Sequence, residues 1–368
     1  MRIPRTKGGL AVINITSYCN SNCIFCKEGK HDHPFNVPLE TIKKTLLKLK
    51  TLGVNEVNFM GGETALRSDL EEIFQYTKKQ GMTIGLVTNG LRFSDPVFAK
   101  RILKFVTFME ISIHAADKKM YHAISGRDCF EKLLRGIENI NAYNQCSAVF
   151  FNFVPNSINA SKMTDVFRLV KKIWPKNNAF FHIKKLAIKG KVKTAPQLLP
   201  NDAELRKLLR TALRYAAENK IGVCVSGFPL CAYDGFEHLS LELLHELKKN
   251  KNFFTNSYLL TENTDFSCPK TSIRKDTHFP ARCHPCGLKR ICPGLDQQYF
   301  EIKNSINYLT PQKKNIRSVV KEFLLKNTLF QGDYFYHYYP FKGLFKKHVI
   351  DMKRAEKISR HMEKLLLT

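Results

Sequence analysis

The feature that most limits the fold is an alternation of short β-branched segments with longer amphipathic segments from residue 10 to about residue 226. The short segments have the composition of buried parallel strands, and the longer ones carry apolar residues three and four positions apart, as helices do. The predicted strands are residues 11–16, 56–60, 83–88, 107–113, 147–153, 180–186 and 222–226. The predicted helices include residues 39–52, 69–80, 130–143, 162–173 and 202–218. This pattern predicts βα units around a parallel sheet.

Six or seven such units form either a partial barrel or an open doubly wound sheet. We predict an α/β fold with a partial, TIM-like (β/α)6 barrel over residues 1–226, because polar motifs follow strand after strand, at the end where such barrels keep their sites. Beyond residue 227 the alternation stops, and residues 227–310 are predicted to form a small irregular unit rich in cysteine.

The tail, residues 311–368, is basic and aromatic. Six aromatic residues lie close together, and a helix with an apolar stripe is predicted after them. The aromatic residues are Tyr334, Phe335, Tyr336, Tyr338, Tyr339 and Phe341, and the stripe consists of Val349, Met352, Ile358, Met362 and Leu365. We expect this tail to pack against the barrel, and a substrate-binding surface is the alternative.

Hydropathy argues against a membrane or secreted protein. No stretch reaches the roughly 18 to 20 apolar residues that a spanning helix needs, and the run from Leu10 to Ile15 is interrupted by Asn14. We therefore expect a cytoplasmic protein. Its net charge of +27 is compatible with an anionic partner, but the lysines are scattered, so a general lysine bias explains the charge equally well.

Eleven cysteines in a reducing compartment indicate metal ligands rather than disulfides. Cys19, Cys23 and Cys26, in the spacing C-x3-C-x2-C, directly follow the first predicted strand. Three thiolates bind only three irons of a four-iron cluster, so the fourth iron is open to a small-molecule ligand. The alternative is a structural zinc site completed by His31 or His33.

This loop, with the aromatic Phe25 before its last cysteine, resembles the signature of the radical S-adenosylmethionine (radical SAM) superfamily. The resemblance implies a 4Fe-4S cluster whose open iron takes the amino and carboxylate groups of S-adenosylmethionine. It also implies an electron donor such as a flavodoxin or ferredoxin. Reductive cleavage of the cofactor would give a 5'-deoxyadenosyl radical that abstracts hydrogen from substrate.

A second motif follows the second predicted strand. Gly61, Gly62 and Glu63 resemble the superfamily's Gly-Gly-Glu-Pro sequence, with Thr64 in place of proline. Glycine allows a backbone to approach a group that a side chain would block. The resemblance makes these three residues the expected contacts of the methionine end of the cofactor, and an ordinary Gly-Gly turn is the alternative.

Further polar residues follow the later strands. By similarity we expect a set of cofactor contacts at the rim of the barrel, although His114 could also face substrate and Asn89 could serve only an Asn-Gly turn. The set consists of Asn89, Ser112, His114, Arg127, Asn152 and Leu186.

A second cysteine group lies in the irregular unit. Cys283, Cys286 and Cys292 have the spacing C-x2-C-x5-C and resemble the SPASM or twitch extension, which holds auxiliary clusters. Asp296 stands where the full pattern has another cysteine, so the resemblance implies one auxiliary 4Fe-4S cluster. We select Cys231 as its fourth ligand. Cys268 competes for that place, and a zinc site is the alternative.

The resemblance leaves the substrate open. Peptide modification is our first expectation, oxidation or rearrangement of a small sugar or nucleoside the second, and tRNA modification the third. A zinc-stabilised RNA-binding protein without catalysis is the alternative from another class. The other cysteines, Cys129, Cys146 and Cys224, are expected to be small buried apolar residues, or one of them returns hydrogen to the substrate radical.

Overall fold

The computed structural model describes residues 10–27, 34–146, 148–175, 179–243, 277–303, 309–326 and 352–367. Within this part, no helix is both long enough and apolar enough to cross a bilayer.

Seven parallel strands form the main sheet. Their order in the sheet is the order in the chain, so every crossover leads to the adjacent strand. A doubly wound sheet would reverse direction at a switch point, so the sequential order confirms the partial barrel. The strands are β1 (Leu10–Asn14), β2 (Glu56–Met60), β3 (Thr83–Thr88), β4 (Phe108–Ser112), β5 (Ala148–Phe153), β6 (Ala179–Lys184) and β7 (Gly222–Ser226). Strands β1 and β7 are the two edges of the sheet.

The crossovers contain seven helices, with both α4 and α5 between β4 and β5. They are α1 (Leu39–Thr51), α2 (Leu70–Lys79), α3 (Pro96–Leu103), α4 (Lys118–Ser125), α5 (Phe130–Tyr143), α6 (Met163–Ile173) and α7 (Asp202–Glu218). The five helices predicted from apolar spacing agree with these bounds to within one residue. The short helices α3 and α4 begin where Asp95 and Asp117 accept backbone N–H bonds, as N-cap residues do.

Aromatic contacts identify the two faces of the sheet. The ring centroids of Phe181 on β6 and Phe167 on α6 are 4.2 Å apart. Those of Phe151 on β5 and Trp174, at the end of α6, are 5.5 Å apart. These side chains therefore face the helices. Because side chains alternate along a strand, their neighbours in sequence face the inside of the partial barrel.

Aromatic rings fill the lower, amino-terminal end of the inner face. Phe150 and Phe180 stack with their centroids 5.4 Å apart, and Phe108 lies two strands away from Phe180. Gly85 and Gly222 make room for them, since a Cβ atom would lie 2.0 Å from the Phe108 ring and 2.3 Å from the Phe180 ring. The floor of the partial barrel is therefore apolar and packed.

Among the described residues, the chain after β7 adds two short strands and three α-helices. Two short antiparallel strands, β8 (Thr277–His278) and β9 (Leu295–Asp296), precede the helices α8 (Gln297–Lys303), α9 (Ile316–Lys326) and α10 (Met352–Leu367). The predicted C-terminal helix is present as α10, which packs against α9. Val349 and the aromatic residues from Tyr334 to Phe341 lie outside the described residues.

Candidate functional site

The three N-terminal cysteines lie in the loop between β1 and α1, at the carboxyl edge of the sheet. The loop is fastened to α4, because Asn22 N–H donates to Ser125 O at 2.8 Å and Ile24 N–H donates to Ile124 O at 2.9 Å. It is fastened on another side by Asn89, whose Nδ2 donates to Asn20 Oδ1 at 2.7 Å. The cysteines therefore occupy a defined backbone path.

The three thiols are free, and they influence one another. Burial, aided by the Cys19 and Cys26 thiols, raises the pKa of Cys23 to about 12. The Ser21 N–H donates to Cys19 Sγ at 3.4 Å, as backbone amides do to cluster sulfurs. Crowded thiolates need positive charge to be stable, and iron supplies it. The loop therefore fits a site-differentiated cluster.

Within the described residues, no three His, Cys, Asp or Glu side chains converge on a point that could hold a single metal ion. A four-iron cluster makes a different demand, since each thiolate binds a separate iron. His31 and His33, which were considered as zinc ligands, lie outside the described residues.

Gly61 and Gly62 pack directly against the cysteine loop. A Cβ atom on Gly61 would lie 2.3 Å from Thr16 O, and one on Gly62 would lie 2.3 Å from Tyr18 O. The backbone also bonds here, with Gly62 N–H donating to Thr16 O at 2.7 Å. The close approach that glycine permits is therefore to the loop itself, and contact with a cofactor stays a prediction.

Glu63 is a buried carboxylate with both oxygens engaged. Oε1 accepts from Thr88 Oγ1 at 2.7 Å and from Ala65 N–H at 3.0 Å, while Oε2 accepts from Asn89 N–H at 2.6 Å. Burial raises the pKa of Glu63, and these hydrogen bonds oppose the rise. Its visible role is to join the ends of β2 and β3.

Thr64 is the first residue of a 3-10 turn, Thr64–Leu66, that Glu63 caps. Proline is favoured at the first position of a helical turn, which explains how threonine can occupy the place of the superfamily's proline. The cost is a buried hydroxyl with no hydrogen-bond partner among the described residues.

His114 follows β4 and is neutral. Its Nδ1 accepts from Val154 N–H at 3.2 Å, which leaves Nε2 to carry the proton, and its ring meets the Phe25 ring edge-on at 4.9 Å. Burial, aided by the Lys184 charge, lowers the pKa of His114 to about 3. The ring thus lies against the cysteine loop as a hydrogen-bond donor.

The other predicted rim residues differ in environment. Ser112 and Asn152 are register partners on the inner face of β4 and β5, and Asn152 Oδ1 is buried without a hydrogen-bond partner among the described residues. Arg127 is exposed, two residues after the end of α4. Leu186 has its side chain in a small core, so only part of the predicted set faces the interior.

The inner face carries charged residues that the sequence reasoning missed. Lys184 Nζ on β6 lies 2.7 Å from Glu110 Oε2 on β4, across the intervening strand, and His182 Nε2 lies 2.8 Å from Ser226 Oγ on β7. Burial lowers the pKa of His182 to about 3. Polar residues at alternate positions of β4 and β6 were the available signal. The interior above the aromatic floor is therefore polar.

The second cysteine group also comes together. Cys231, Cys283, Cys286 and Cys292 all line one pocket. Cys231 comes from the 3-10 turn after β7, about fifty residues before the others, so the fold supplies a nearby fourth thiol. Cys268, the competing candidate, lies outside the described residues.

Backbone amides point at the sulfurs of this pocket. Leu230 and Gly294 N–H groups donate to Cys292 Sγ at 3.4 Å each, and Gln312 N–H donates to Cys286 Sγ at 3.3 Å. Burial raises the pKa of Cys292 to about 12, so a stable thiolate there needs a bound cation. Amide-to-sulfur hydrogen bonds tune iron-sulfur sites, and the pocket fits such a group.

Residues 13–170 match the family model described as the Radical SAM superfamily. Probable GTP 3',8-cyclase from Saccharolobus islandicus is 31% identical over 149 residues, which are 40% of this chain and 46% of that protein. The enzyme of the same name from Pyrococcus abyssi is 29% identical over 164 residues, 44% of this chain and 52% of that protein. The chain thus spans about half the length of these curated relatives.

Among solved structures, Streptococcus suis SuiB bound to S-adenosylmethionine has a TM-score of 0.57 at 16% identity and covers 85% of this chain and 77% of its own. SuiB bound to precursor peptide SuiA has a TM-score of 0.58 at 14% identity, and the match covers 83% of this chain and 74% of the SuiB chain. At this identity the likeness shows the fold alone. It extends beyond the barrel into the cysteine-rich unit.

Proposed function

Because residues 13–170 match the Radical SAM family model, we propose that this chain holds a 4Fe-4S cluster on Cys19, Cys23 and Cys26 and cleaves S-adenosylmethionine reductively. The observation that carries the proposal is the set of three free thiols on a single loop that is fastened at the carboxyl edge of the sheet. When bound, the cluster and cofactor would supply a 5'-deoxyadenosyl radical for hydrogen abstraction.

The chain's own residues would orient the cofactor. We assign Gly61, Gly62 and Glu63 to the methionine end. We assign contacts with the rest of the cofactor to the rim residues predicted from the sequence. Among them, His114 has the best-defined geometry, because its neutral ring offers an Nε2–H donor beside Phe25. Asn152 offers an acceptor on the inner face that has no hydrogen-bond partner among the described residues.

The pocket of Cys231, Cys283, Cys286 and Cys292 is proposed to hold an auxiliary 4Fe-4S cluster. Four thiols around one pocket, with amides directed at two of the sulfurs, support this assignment. The auxiliary cluster would accept an electron from the product radical or anchor the substrate. The division into a barrel, a cluster unit and a tail at residues 226 and 310 stays part of this proposal.

The substrate is proposed to enter the polar interior and to contact Glu110 and Lys184. A partly buried ion pair such as that between Glu110 and Lys184 adds little stability compared with apolar packing, so its position above the aromatic floor favours a role in binding. Charges already paired suit a group that offers both an N–H donor and a C=O acceptor, as amides do. We therefore keep peptide modification as the first candidate.

Modification of a nucleotide is the second candidate, because the relatives over residues of the barrel are named GTP 3',8-cyclase. A lactam base offers the same donor and acceptor pair as an amide. An electron donor of flavodoxin or ferredoxin type is the proposed protein partner. A nucleic-acid partner would need the scattered positive charge to act as one surface.

The test uses full-length protein reconstituted anaerobically with iron and sulfide. Reduced wild type should form 5'-deoxyadenosine from S-adenosylmethionine, while Cys19→Ala, Cys23→Ala and Cys26→Ala should each abolish it. Cys146→Ala, a buried thiol outside both sites, is the matched control. Cleavage retained without the loop cysteines, or a colourless zinc protein that never cleaves the cofactor, would refute the proposal.

Candidate substrates are then compared by deuterium transfer from labelled substrate into 5'-deoxyadenosine. The two candidate substrates compared are a peptide and a guanine nucleotide. If RNA is the substrate instead, its affinity should fall steeply with salt.

A further inference from the structure

One turn of the chain beyond β6 lies directly on the N-terminal cysteine loop. Gly190 begins the 3-10 turn Gly190–Thr194 with φ of +54°, and a Cβ atom there would lie 2.3 Å from Cys26 O and 2.5 Å from Lys27 O. The next residue, Lys191, donates its backbone N–H to Cys26 O at 3.2 Å. The turn and the loop are therefore in backbone contact.

The side chain of Lys191 extends this contact to the middle of the cysteine motif. Its Nζ donates to Asn22 Oδ1 at 2.6 Å, to Cys23 O at 3.0 Å and to Asn22 O at 3.2 Å. An ammonium group has three donors, and these acceptors can take all three. The charge of Lys191 is thus fixed beside the backbone of Cys23.

Apolar packing also holds this turn in place. A small core joins the segment 186–199 to the auxiliary unit, and Ile24 and Phe25 of the cysteine loop pack against it. Its buried members are Leu186, Ile188, Val192, Leu198, Leu199, Cys231, Leu295, Tyr299 and Leu309. Because the backbone of Lys191 is already ordered by this core, fixing its charge costs side-chain entropy but no further backbone entropy.

We propose that Lys191 is a positioning residue for the N-terminal cluster, holding the Cys23 segment in shape and stabilising the reduced cluster with its positive charge. This inference rests on the proposed function. A fixed cation near a site of low dielectric favours the state with the extra electron. Lys191 should therefore raise the reduction potential of that cluster.

The test measures the midpoint potential of the N-terminal cluster by EPR-monitored titration of reconstituted full-length protein. Lys191→Met is expected to lower it by about 59 mV, equivalent to a tenfold smaller ratio of reduced to oxidised cluster at fixed donor potential. Lys191→Arg should restore it. Lys193→Met removes an exposed charge from the same turn and should leave the potential unchanged.

Iron content separates loss of charge from loss of the site. If Lys191→Met fails to take up iron, Lys191→Gln, which keeps donors without the charge, is titrated in its place and should also show the lowered potential. A wild-type potential in a loaded Met or Gln variant would overturn the inference. A wild-type protein without a reducible cluster would instead refute the proposed function, before any variant is compared.

Discussion

The Glu63 carboxylate accepts the Asn89 N–H at 2.6 Å, and the Asn89 side chain in turn donates to Asn20 in the cysteine loop at 2.7 Å. One buried acidic group therefore links two strand ends to the loop that carries Cys19.

Replacement of Glu63 should cost stability before it affects chemistry. In Glu63→Ala, the Asn89 and Ala65 N–H groups and the Thr88 hydroxyl lose their acceptor, at about 1 to 3 kcal/mol for each buried group left unpaired. We expect the free energy of unfolding to fall by at least about 2 kcal/mol in urea denaturation followed by circular dichroism. Glu40→Ala, at an exposed helical position, is the control, and equal midpoints for the two variants would contradict the linkage.

Thr64 and Thr88 should respond to the same substitution with opposite signs. Thr64→Val removes a buried hydroxyl without a described partner, so the free energy of unfolding should rise by about 1 kcal/mol. Thr88→Val removes a hydroxyl that donates to Glu63 and accepts from Gly90 N–H. The free energy of unfolding of this variant should therefore fall by a similar or larger amount. Thermal unfolding of both variants provides the check, and a shift in the same direction would be incompatible with these contacts.

Loss of Cys231 should remove the auxiliary cluster alone. Cys231→Ala is expected to reduce iron and acid-labile sulfide from about eight to about four per chain, while formation of 5'-deoxyadenosine continues. Cys224→Ala, a buried inner-face thiol outside the pocket, should keep about eight. If Cys268→Ala rather than Cys231→Ala lowers the iron content, the fourth ligand has been misassigned.

Glu110 and Lys184 should be needed for product and not for cofactor cleavage. Glu110→Gln and Lys184→Met are expected to lower product formation at least about tenfold, while 5'-deoxyadenosine still accumulates, because the pair lies below the cofactor rim. Glu138→Gln, on the exposed face of α5, serves as the control. Unimpaired product in both inner-face variants would exclude them from the substrate site.

Lys185 gives the protein a pH-dependent stability. Its Nζ lies 3.5 Å from the centre of the Tyr299 ring without a described hydrogen-bond acceptor, and burial lowers the pKa of Lys185 from 10.5 to about 8. Between these values the unfolded chain binds more protons, so the free energy of unfolding should rise with pH.

Lys185→Met should remove that rise and stabilise the protein at pH 7, by on the order of 1 kcal/mol after the lost cation–π contact is counted. Urea unfolding of wild type and variant at pH 7, 8, 9 and 10 would measure it, with Lys189→Met as an exposed control. If the free energy of unfolding has the same pH dependence in wild type and Lys185→Met, Lys185 is not the origin of the rise with pH.

The barrel and the position of the first three cysteines on one loop were predictable because their signals are local. Apolar periodicity gave the five named helices and the strands nearly to their ends, and the spacing of Cys19, Cys23 and Cys26 needs only one loop. The short helices α3 and α4 depend on single caps at Asp95 and Asp117 and were not named.

Long-range contacts were beyond the same reasoning. Lys191 and Asn22 are 169 positions apart, and Lys184 and Glu110 are 74 apart, so no spacing rule connects them. The two glycines after β2 were predicted for the right property, close approach, but the atoms approached are the carbonyls of the cysteine loop. Cys231 could be selected only as a nearby thiol, and the pocket supplies the geometric support.

The aromatic floor limits how deep a substrate can go. Phe108 is two residues below Glu110 on the same strand, a rise of only ~6.6 Å, and the stacked rings of Phe150 and Phe180 lie on the next two strands of the sheet. These packed rings leave no room for a long polymer at the base of β4, β5 and β6. If the substrate is a macromolecule, the hydrogen removed must therefore belong to a protruding tip, such as one side chain or one terminal unit, while the body of the molecule stays outside.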